Sequence, residues 1–273
     1  MVLEAPAAMA QPQEPRVLDP FEPTVLDLRR PNEELRAHAL KALQSITPVF
    51  CATHHGLDGP ARAVIRRLAS TDVDGESCVV FVLSEKAAPQ EAHDLRCKMR
   101  SVAQRLASIV CGDGFSEGLE KRGQKLDGRL SLRVYPAAPD SDARLGAHLD
   151  ANLFTLLWAD APGLEVLDPQ TSEISAADVL AVGVPSVGPA ASADFLDTDE
   201  AWAAIPHAIQ GDSTLTFTVS RGWLRSDAIA EIADAEVLKV TSAALHRVRL
   251  DGSTKRCSIP YLVDVHPFGQ TDF

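Results

Sequence analysis

The sequence feature that most constrains the fold is a change of pattern after Lys125. From there onward, short apolar or alternating segments follow one another, separated by turn residues and without helical spacing between them. Such segments predict strands. The predicted strands are residues 130–137, 147–159, 163–168, 178–184, 213–220, 235–250 and 255–265. Strands without intervening helices pair antiparallel, so we predict a sandwich or barrel and exclude a parallel sheet with crossover helices.

The region before Lys125 is mainly helical in pattern. Apolar residues at helical spacing predict helices over 31–46, 59–70 and 91–112. Short strands are predicted over 24–28 and 77–84, and the second of these is expected to be buried. Asn32 stands where it can cap the first helix. The helix over 91–112 carries an apolar stripe opposite a face rich in Arg and Lys, which indicates packing against a sheet.

These patterns divide the chain into three parts. Residues 1–23, rich in Ala, Pro and Glu, are expected to form a flexible arm. Residues 24–125 form an N-terminal helical region with short strands, and residues 126–273 form the β core. An insertion is expected around 169–201, where the Pro-, Ala- and Asp-rich stretch 185–200 lies.

Composition excludes several classes of function. The 273 residues carry a formal net charge of −12, which argues against general binding to nucleic acid or to an anionic membrane, since both need a basic face. No apolar run reaches the roughly 20 residues of a membrane span, and the first residues do not resemble a secretory signal. Five scattered cysteines without a CxxC motif indicate reduced thiols, so we expect a cytoplasmic protein.

A His-x-Asp pair is the first candidate for chemistry. His148 and Asp150 stand two residues apart in an apolar run, and on a strand two such side chains point to the same face. An imidazole and a carboxylate are two of the three ligands of a facial triad, which binds Fe(II) and leaves three positions open. Taken alone, the pair is a weak signal and is better explained as a hydrogen-bonded pair on the surface.

Further motifs accompany this pair. The segment "HRV" places His246 on a later predicted strand, and Arg256 and Ser258 form an Arg-x-Ser pair that begins ten residues after this histidine. The flanks read "RVYP", "GAHLD", "TLLW" and "GLEV". The chain resembles the iron(II)/2-oxoglutarate-dependent dioxygenases of the isopenicillin N synthase-like family in this combination of motifs. It also resembles them upstream, where a helix is followed by a strand that ends in His-Gly and then by a second helix. The resemblance extends from about residue 24 onward.

The resemblance implies a fold and a set of site residues. The fold is mostly β with α: a double-stranded β-helix (jelly-roll or cupin-like) core with N-terminal helices packed on its outer face. His148, Asp150 and His246 would be the iron ligands. Arg256 and Ser258 would bind the distal carboxylate of 2-oxoglutarate, and Tyr135 would contact the same co-substrate. A planar guanidinium suits a carboxylate, and a serine hydroxyl adds a donor.

The resemblance also implies an activity. With dioxygen as oxidant, the protein would hydroxylate, desaturate or cyclise a small-molecule metabolite, as a monomer without nucleic-acid or membrane partners. Two alternatives remain open: an Fe(II) oxidase of the same fold that does not use 2-oxoglutarate, and a catalytically silent barrel that only binds. If the assignment holds, Arg256 must face the cavity of His246, through an odd-length connection or from a different sheet.

Other polar residues are weaker candidates for site residues. His38, His54, His55, His93, His207 and His266 are expected to be packing, loop or surface residues. Arg133 precedes Tyr135 by two residues, where many members of the resembled family have asparagine. Contact with the co-substrate, contact with the substrate and pairing with a nearby acid are all open for this arginine.

Overall fold

The computed structural model describes residues 22–69, 78–84, 88–137, 143–168, 174–182, 201–249 and 255–269. The helices are α1 (Asn32–Leu43), α2 (Asp58–Leu68), α3 (Gln90–Cys111), α4 (Phe115–Lys121), α5 (Ala176–Ala181) and α6 (Asp227–Ile232). The strands are β1 (Thr24–Asp27), β2 (Val49–Thr53), β3 (Val79–Val82), β4 (Gln124–Tyr135), β5 (Ala143–His148), β6 (Phe154–Ala159), β7 (Leu164–Leu167), β8 (Trp202–Ala204), β9 (Ala208–Ile209), β10 (Asp212–Ser213), β11 (Leu215–Val219), β12 (His246–Arg249) and β13 (Arg256–Pro267).

The strands form a large and a small sheet. The seven-stranded sheet has the order β1-β2-β11-β6-β13-β4-β3, the four-stranded sheet has the order β5-β12-β7-β8, and β9 and β10 form a separate two-stranded ribbon. Pairing is antiparallel throughout the described strands except between β1 and β2. The protein is therefore mostly β with some helices, and the prediction of antiparallel pairing is confirmed.

One face of the large sheet holds the main hydrophobic core against the helices. Strand alternation puts Phe154, Leu156 and Trp158 of β6 on this face, where they are fully buried. Phe217 of β11 stacks on Phe50 at 4.5 Å and on Phe154 at 4.8 Å between ring centroids. Each such side chain contributes about 1.5–3 kcal/mol by leaving water, so this face anchors the strands that carry the site.

The opposite face of the large sheet looks toward the small sheet. Val49 and Cys51 of β2 pack there against Leu164 and Val166 of β7, and Tyr135 of β4 packs against Val248. Many neighbouring positions on this face are polar instead of apolar. They include Thr155, Thr216, Thr218, Arg133, Arg256 and Ser258. A buried polar lining between two sheets indicates a binding cavity in place of a solid core.

The predicted helices before Lys125 are present, with one correction. The stripe of the 91–112 prediction is buried in α3, as expected, with Leu95, Met99 and Leu106 at 0% exposure. Asn32, however, does not cap α1. Pro31 occupies that position without a side-chain cap, and the Asn32 side chain accepts a hydrogen bond from Arg105 Nε instead.

Two predicted strands prove to be something else. Residues 178–184 were expected to be a strand, but α5 begins after Ser175, whose hydroxyl and Asp178 form a reciprocal capping box. A strand was also expected over 235–250. In its described part, 235–249, the strand is limited to His246–Arg249, and a 3-10 helix occupies Val237–Lys239. Val237 is buried in the helix-side core, so packing overrides the local β-propensity there.

Two further strands differ in extent or burial. The predicted strand 147–159 is two strands, since the chain leaves β5 after His148 and enters β6 of the other sheet at Phe154. Strand β3 was expected to be buried, but among the described strands it is a sheet edge next to β4. Val80 and Val82 are 52% and 59% exposed. Residues 1–21 of the arm expected over 1–23, and the stretch 185–200, lie outside the described residues.

Candidate metal centre

Two histidines meet across paired strands of the small sheet. His148 ends β5 and His246 begins β12, and the two are direct cross-strand partners. Their ring centroids lie 4.2 Å apart. Asp150 lies in the loop after β5, so the expectation that it shares a strand face with His148 is wrong. The loop, not strand alternation, brings its carboxylate to the two rings.

The three side chains converge at donor-atom distances suited to a metal. His148 Nε2 lies 3.7 Å from Asp150 Oδ1, and His246 Nε2 lies 3.9 Å from Asp150 Oδ2. One ligand atom from each residue lies within 4.8 Å of the others, and no other such group of His, Cys, Asp or Glu was found among the described residues. Two imidazoles and one carboxylate on one side of a site form the donor set of non-haem Fe(II) centres.

Backbone carbonyls orient both rings. His148 Nδ1 lies 2.8 Å from Gly146 O, and His246 Nδ1 lies 2.9 Å from Ala244 O. A carbonyl only accepts, so Nδ1 is the donor in each ring, and Nε2 is the nitrogen left to face a metal. A hydrogen bond of this kind from the far nitrogen is what orients metal-binding histidines.

The charge states also suit a metal. Burial and the facing His246 ring lower the pKa of His148 to about 4, so this imidazole is neutral near pH 7. Burial alone would raise the pKa of Asp150, but His246, the Thr155 hydroxyl and His148 together lower it. Thr155 donates to Asp150 Oδ2 at 2.6 Å. The site therefore offers the neutral His148 imidazole and the Asp150 carboxylate, with His246 Nε2 directed at that carboxylate.

The loop that carries Asp150 is held by backbone contacts. Arg221 N donates to Asp150 O and Gly222 N donates to Asn152 O, both at 2.9 Å. The Asn152 amide donates to Phe154 O at 2.5 Å and to Thr155 Oγ1 at 3.2 Å. These bonds set the turn from the small sheet into the large one, and with it the position of the carboxylate.

A second polar group lies deeper between the sheets. Arg256 is 1% exposed and its Nε donates to Ala161 O at 3.1 Å, whereas Nη1 and Nη2 have no hydrogen-bond partner. Ser258 Oγ and Tyr135 OH are likewise buried without a partner. The guanidinium lies 5.3 Å from the Tyr135 ring centroid. Unsatisfied buried donors cost about 1–3 kcal/mol each, which indicates a site shaped for a ligand with several acceptor oxygens.

The two groups reach the interior from different sheets. His246 is on β12 of the small sheet and Arg256 and Ser258 are on β13 of the large sheet, which is one of the two arrangements expected. Ser258 lines a small pocket together with Asp150 and His246. Arg256 lines the adjoining pocket, which shares Leu157 and Leu164 with the first. The Arg256 guanidinium is therefore buried in the pocket next to the one that Ser258 lines, and it does not point to the outer surface.

A larger cleft opens beside the histidines. Its volume is about 620 Å³, and His148, Asp150, Tyr135 and Arg133 contribute to its wall. This is the size of a small-molecule site. The sequence predictions missed Thr155 and Asn152. The one available signal was that Thr155, at the start of an apolar strand, shares a face with Leu157 and so points to the cavity.

The remaining histidines lie elsewhere. His54 is between Asp27 and Asp212, with nitrogen–oxygen distances of 3.1 and 3.2 Å. His55 is buried, and its Nε2 lies 3.2 Å from Ser213 O. Neither belongs to the metal-binding group, which agrees with their interpretation as loop and packing residues. No helix among the described residues is long and apolar enough to cross a membrane.

Comparison with known proteins identifies the fold. No protein-family model and no curated protein matches the chain. Among solved structures, JOX2 in complex with 2OG, Fe and JA is 14% identical, with 97% of this chain and 82% of that chain covered and a TM-score of 0.59. A full-length Neurospora crassa protein in complex with alpha-KG is 13% identical, with 89% and 85% covered and a TM-score of 0.54.

Similarity at these identities establishes the fold, while the reaction has to be inferred from the site. A further Caulobacter crescentus structure, from the 2OG-Fe(II) oxygenase family, is 14% identical with a TM-score of 0.57 over 88% of this chain and 86% of that chain. The chain therefore has the fold of the 2OG-Fe(II) oxygenases, with His148, Asp150 and His246 gathered at one edge of its cavity.

Proposed function

We propose that this protein is an Fe(II)- and 2-oxoglutarate-dependent dioxygenase that oxidises a small-molecule metabolite. The observation that carries the proposal is a pairing of two features in one cavity. A His-Asp-His donor group lies next to buried donors of Arg256, Ser258 and Tyr135 that lack acceptors. A metal and a dicarboxylate would satisfy both features, and solved structures of this fold hold 2OG with Fe, or alpha-KG.

We also propose a double-stranded β-helix core for this fold. The face-to-face contact of the large and small sheets, with the helices on the outer side of the large sheet, supports that assignment. The proposed division is a helical region over 24–125 and a core over 126–273, with an insertion around 169–201. In the structure, β1, β2 and β3 of the helical region belong to the same sheet as β4, β6, β11 and β13, so one sheet spans both regions.

The residues present fit the metal. His148 Nε2, His246 Nε2 and an Asp150 carboxylate oxygen would be its ligands and would leave coordination positions for co-substrate and dioxygen. The carbonyls of Gly146 and Ala244 keep the two nitrogens directed inward, and Thr155 orients the carboxylate. With Fe(II) and 2-oxoglutarate bound, the centre would supply the reductive activation of dioxygen used for hydroxylation, desaturation or ring closure.

The residues of the deeper group fit the co-substrate. Arg256 would bind the distal carboxylate of 2-oxoglutarate through Nη1 and Nη2, and the Ser258 hydroxyl would add a third donor. Tyr135 borders the pocket that Ser258 lines, next to the pocket that Arg256 lines, and its hydroxyl would donate to a further oxygen. The Nε bond to Ala161 O holds the guanidinium plane in place before any ligand arrives.

The wider setting is proposed on the same basis. All five cysteines, each within the described residues, are free thiols, which fits the proposed cytoplasmic location. We propose that the protein acts as a monomer on a small molecule. The Neurospora crassa protein has also been crystallised with alpha-KG and 5-formyluracil, which illustrates the size of compound that one protein of this fold binds.

The test is oxygen consumption by protein reconstituted anaerobically with Fe(II), in the presence and absence of 2-oxoglutarate. We expect slow, 2-oxoglutarate-dependent oxygen uptake with succinate release, and loss of both in the His246→Ala variant. Oxygen uptake that does not need 2-oxoglutarate would favour the oxidase of the same fold. Failure to retain any iron would favour the silent binding protein.

A further inference from the structure

A cationic stretch of β4 runs along the cleft. Strand alternation puts Arg129, Arg133 and Tyr135 on the cavity face, and all three line the 620 Å³ cleft. On the neighbouring strand β13, Arg129 is paired with Leu262 and Arg133 with Ser258. The cleft that contains His148 and Asp150 thus has two guanidinium groups along one wall.

Arg133 is the more deeply placed of the two. It lines the cleft beside His148 and Asp150 and also the small pocket beside Ser258 and His246. Its Nε is buried without a hydrogen-bond partner, whereas Arg129 is exposed at the outer part of the wall. Arg133 therefore stands between the metal centre and the open cleft.

No carboxylate of the described residues forms an ion pair with Arg133. The chain has 38 acidic residues and a net charge of −12, so partners for a cation are abundant. Asp264 lines the same cleft, but its Oδ1 accepts a hydrogen bond from Leu153 N. Asp150 attracts Arg133 through space but makes no ion-pair contact with it. The half-buried guanidinium therefore gains a direct partner when an anionic ligand binds.

We propose that the substrate is a small organic monocarboxylate whose carboxylate binds Arg133. This inference rests on the proposed function and narrows its substrate class. Cys78, Leu145 and Leu149 form an apolar part of the cleft wall for the rest of the molecule. Because Arg133 adjoins His148 and Asp150, a carboxylate held there places carbon atoms of the same small molecule beside the metal centre.

Arg129 has a different role in this arrangement. Its exposed charge lies on the wall of the cleft, where it offsets the net negative charge of the protein and attracts an anion toward Arg133. Its contribution should therefore decrease as salt increases, whereas a contact with the buried Arg133 is screened less.

The test is a binding series that does not require knowledge of the natural substrate. Butanoate, hexanoate and phenylacetate, each beside its methyl ester, are titrated calorimetrically into the metal-free protein and into anaerobic protein holding Fe(II) and 2-oxoglutarate. We expect the acids to bind at least about tenfold more tightly than the esters. Arg133→Gln should abolish this difference, and Arg133→Lys should restore part of it.

The affinity for 2-oxoglutarate is measured on the same variants. In Arg133→Gln it should stay within about threefold of the wild type, because Arg256 and Ser258 bind that ligand. Arg129→Gln is the matched control on the same strand face, and its smaller effect on acid binding should disappear at high salt. Thermal unfolding without ligands shows that each variant is folded.

The outcomes separate this inference from the proposed function. Equal binding of acids and esters to both forms of the wild type would overturn it. So would a loss of 2-oxoglutarate affinity in Arg133→Gln as large as the loss for the acids, since Arg133 would then bind the co-substrate. A preference for acids in metal-free protein that fails to bind Fe(II) or 2-oxoglutarate would support the anion site and contradict the proposed function.

Discussion

His148 and His246 are cross-strand partners whose Nδ1 atoms both bond a backbone carbonyl two residues earlier in the chain, Gly146 O and Ala244 O. Each ring is thereby held by the chain segment just before it, and the Nε2 atoms of both approach the Asp150 carboxylate. The donor group is thus set by backbone geometry before a metal binds, which reduces the conformational freedom lost on binding.

The first prediction follows from this geometry. Replacement of His246 by Ala should weaken Fe(II) binding by at least about 100-fold, because a three-ligand site has no spare protein donor. Iron stoichiometry after anaerobic reconstitution and desalting measures the effect. His38→Ala is the control, since His38 is exposed on α1 and is not part of the group. Retention of one equivalent of iron by the His246 variant would show that the metal site is elsewhere.

A second prediction concerns the hydroxyl that orients the carboxylate. Thr155 is 4% exposed and donates to Asp150 Oδ2 at 2.6 Å. Thr155→Val keeps the volume and removes the donor, so metal affinity should fall by about 10- to 100-fold. Thr155→Ser keeps the hydroxyl and should retain most of the affinity. If the valine and serine variants bind Fe(II) equally well, the hydroxyl does not orient the ligand.

The third prediction concerns the co-substrate. Arg256→Lys keeps a positive charge but loses the two-pronged geometry of Nη1 and Nη2, so 2-oxoglutarate affinity should fall by at least about tenfold. Fe(II) affinity should change little, because Arg256 lies outside the donor group. Calorimetric titration of each ligand separately measures the two effects.

Ser258→Ala provides the graded comparison. It removes one neutral donor that has no protein partner, and we expect a loss of about threefold to tenfold for 2-oxoglutarate. An unchanged affinity for 2-oxoglutarate in both the Arg256 and Ser258 variants would mean that the unpartnered donors serve another ligand.

Strand alternation and motif spacing were sufficient to predict much of the site. Arg256 and Ser258 share the cavity face of β13, while Cys257 and Ile259 face the helices, as period-two alternation requires. Spacing could not show that the chain leaves β5 right after His148, because the apolar run continues through Leu153 and Phe154. The turn depends on side-chain bonds of Asn152 to a distant strand, which no local pattern reveals.

Local patterns were also insufficient where apolar spacing allows more than one structure. The segment from Val179 to Val182 is a short apolar run that suggests a buried strand, but the Ser175–Asp178 capping box starts a helix. Residues before His246 are β-branched and apolar, yet Val237 and Val240 pack into the helix-side core outside any strand. In both segments, capping or tertiary packing outweighs intrinsic propensity.

A fourth prediction concerns stability and pH. Asp127 is 2% exposed and accepts hydrogen bonds from Arg100, Gly128 N and the Tyr261 hydroxyl. Burial alone would raise the pKa of Asp127, but the Gly128 N–H, Arg100 and Tyr261 outweigh it and the pKa is lowered. Asp127→Asn should lower the free energy of unfolding at pH 7 by about 3 kcal/mol, because Arg100 and Lys125 lose their buried partner.

The pH dependence has a defined sign. A carboxyl whose pKa is lower in the folded state stabilises the fold fully above its unfolded value of about 3.9. That contribution is lost as the pH falls through the lower folded value. Urea unfolding should therefore show a constant difference between wild type and Asp127→Asn above about pH 5 and a shrinking one below about pH 4. The exposed Asp113→Asn variant should show little difference at any pH.

The last prediction links a glycine to the position of Asp150. A Cβ at Gly222 would lie 2.6 Å from Asn152 O and 2.7 Å from Ala151 O, closer than van der Waals contact allows. Both are backbone atoms of the loop that carries Asp150, and Arg221 N and Gly222 N bond that loop directly. Gly222→Ala must therefore displace the loop, so Fe(II) affinity should fall by about tenfold or more and stability by about 1–3 kcal/mol. Gly114→Ala, where a Cβ meets nothing within 4 Å, is the matched control and should change neither quantity. A Gly222 variant that is destabilised but binds Fe(II) as tightly as the wild type would show that the loop position does not control the carboxylate.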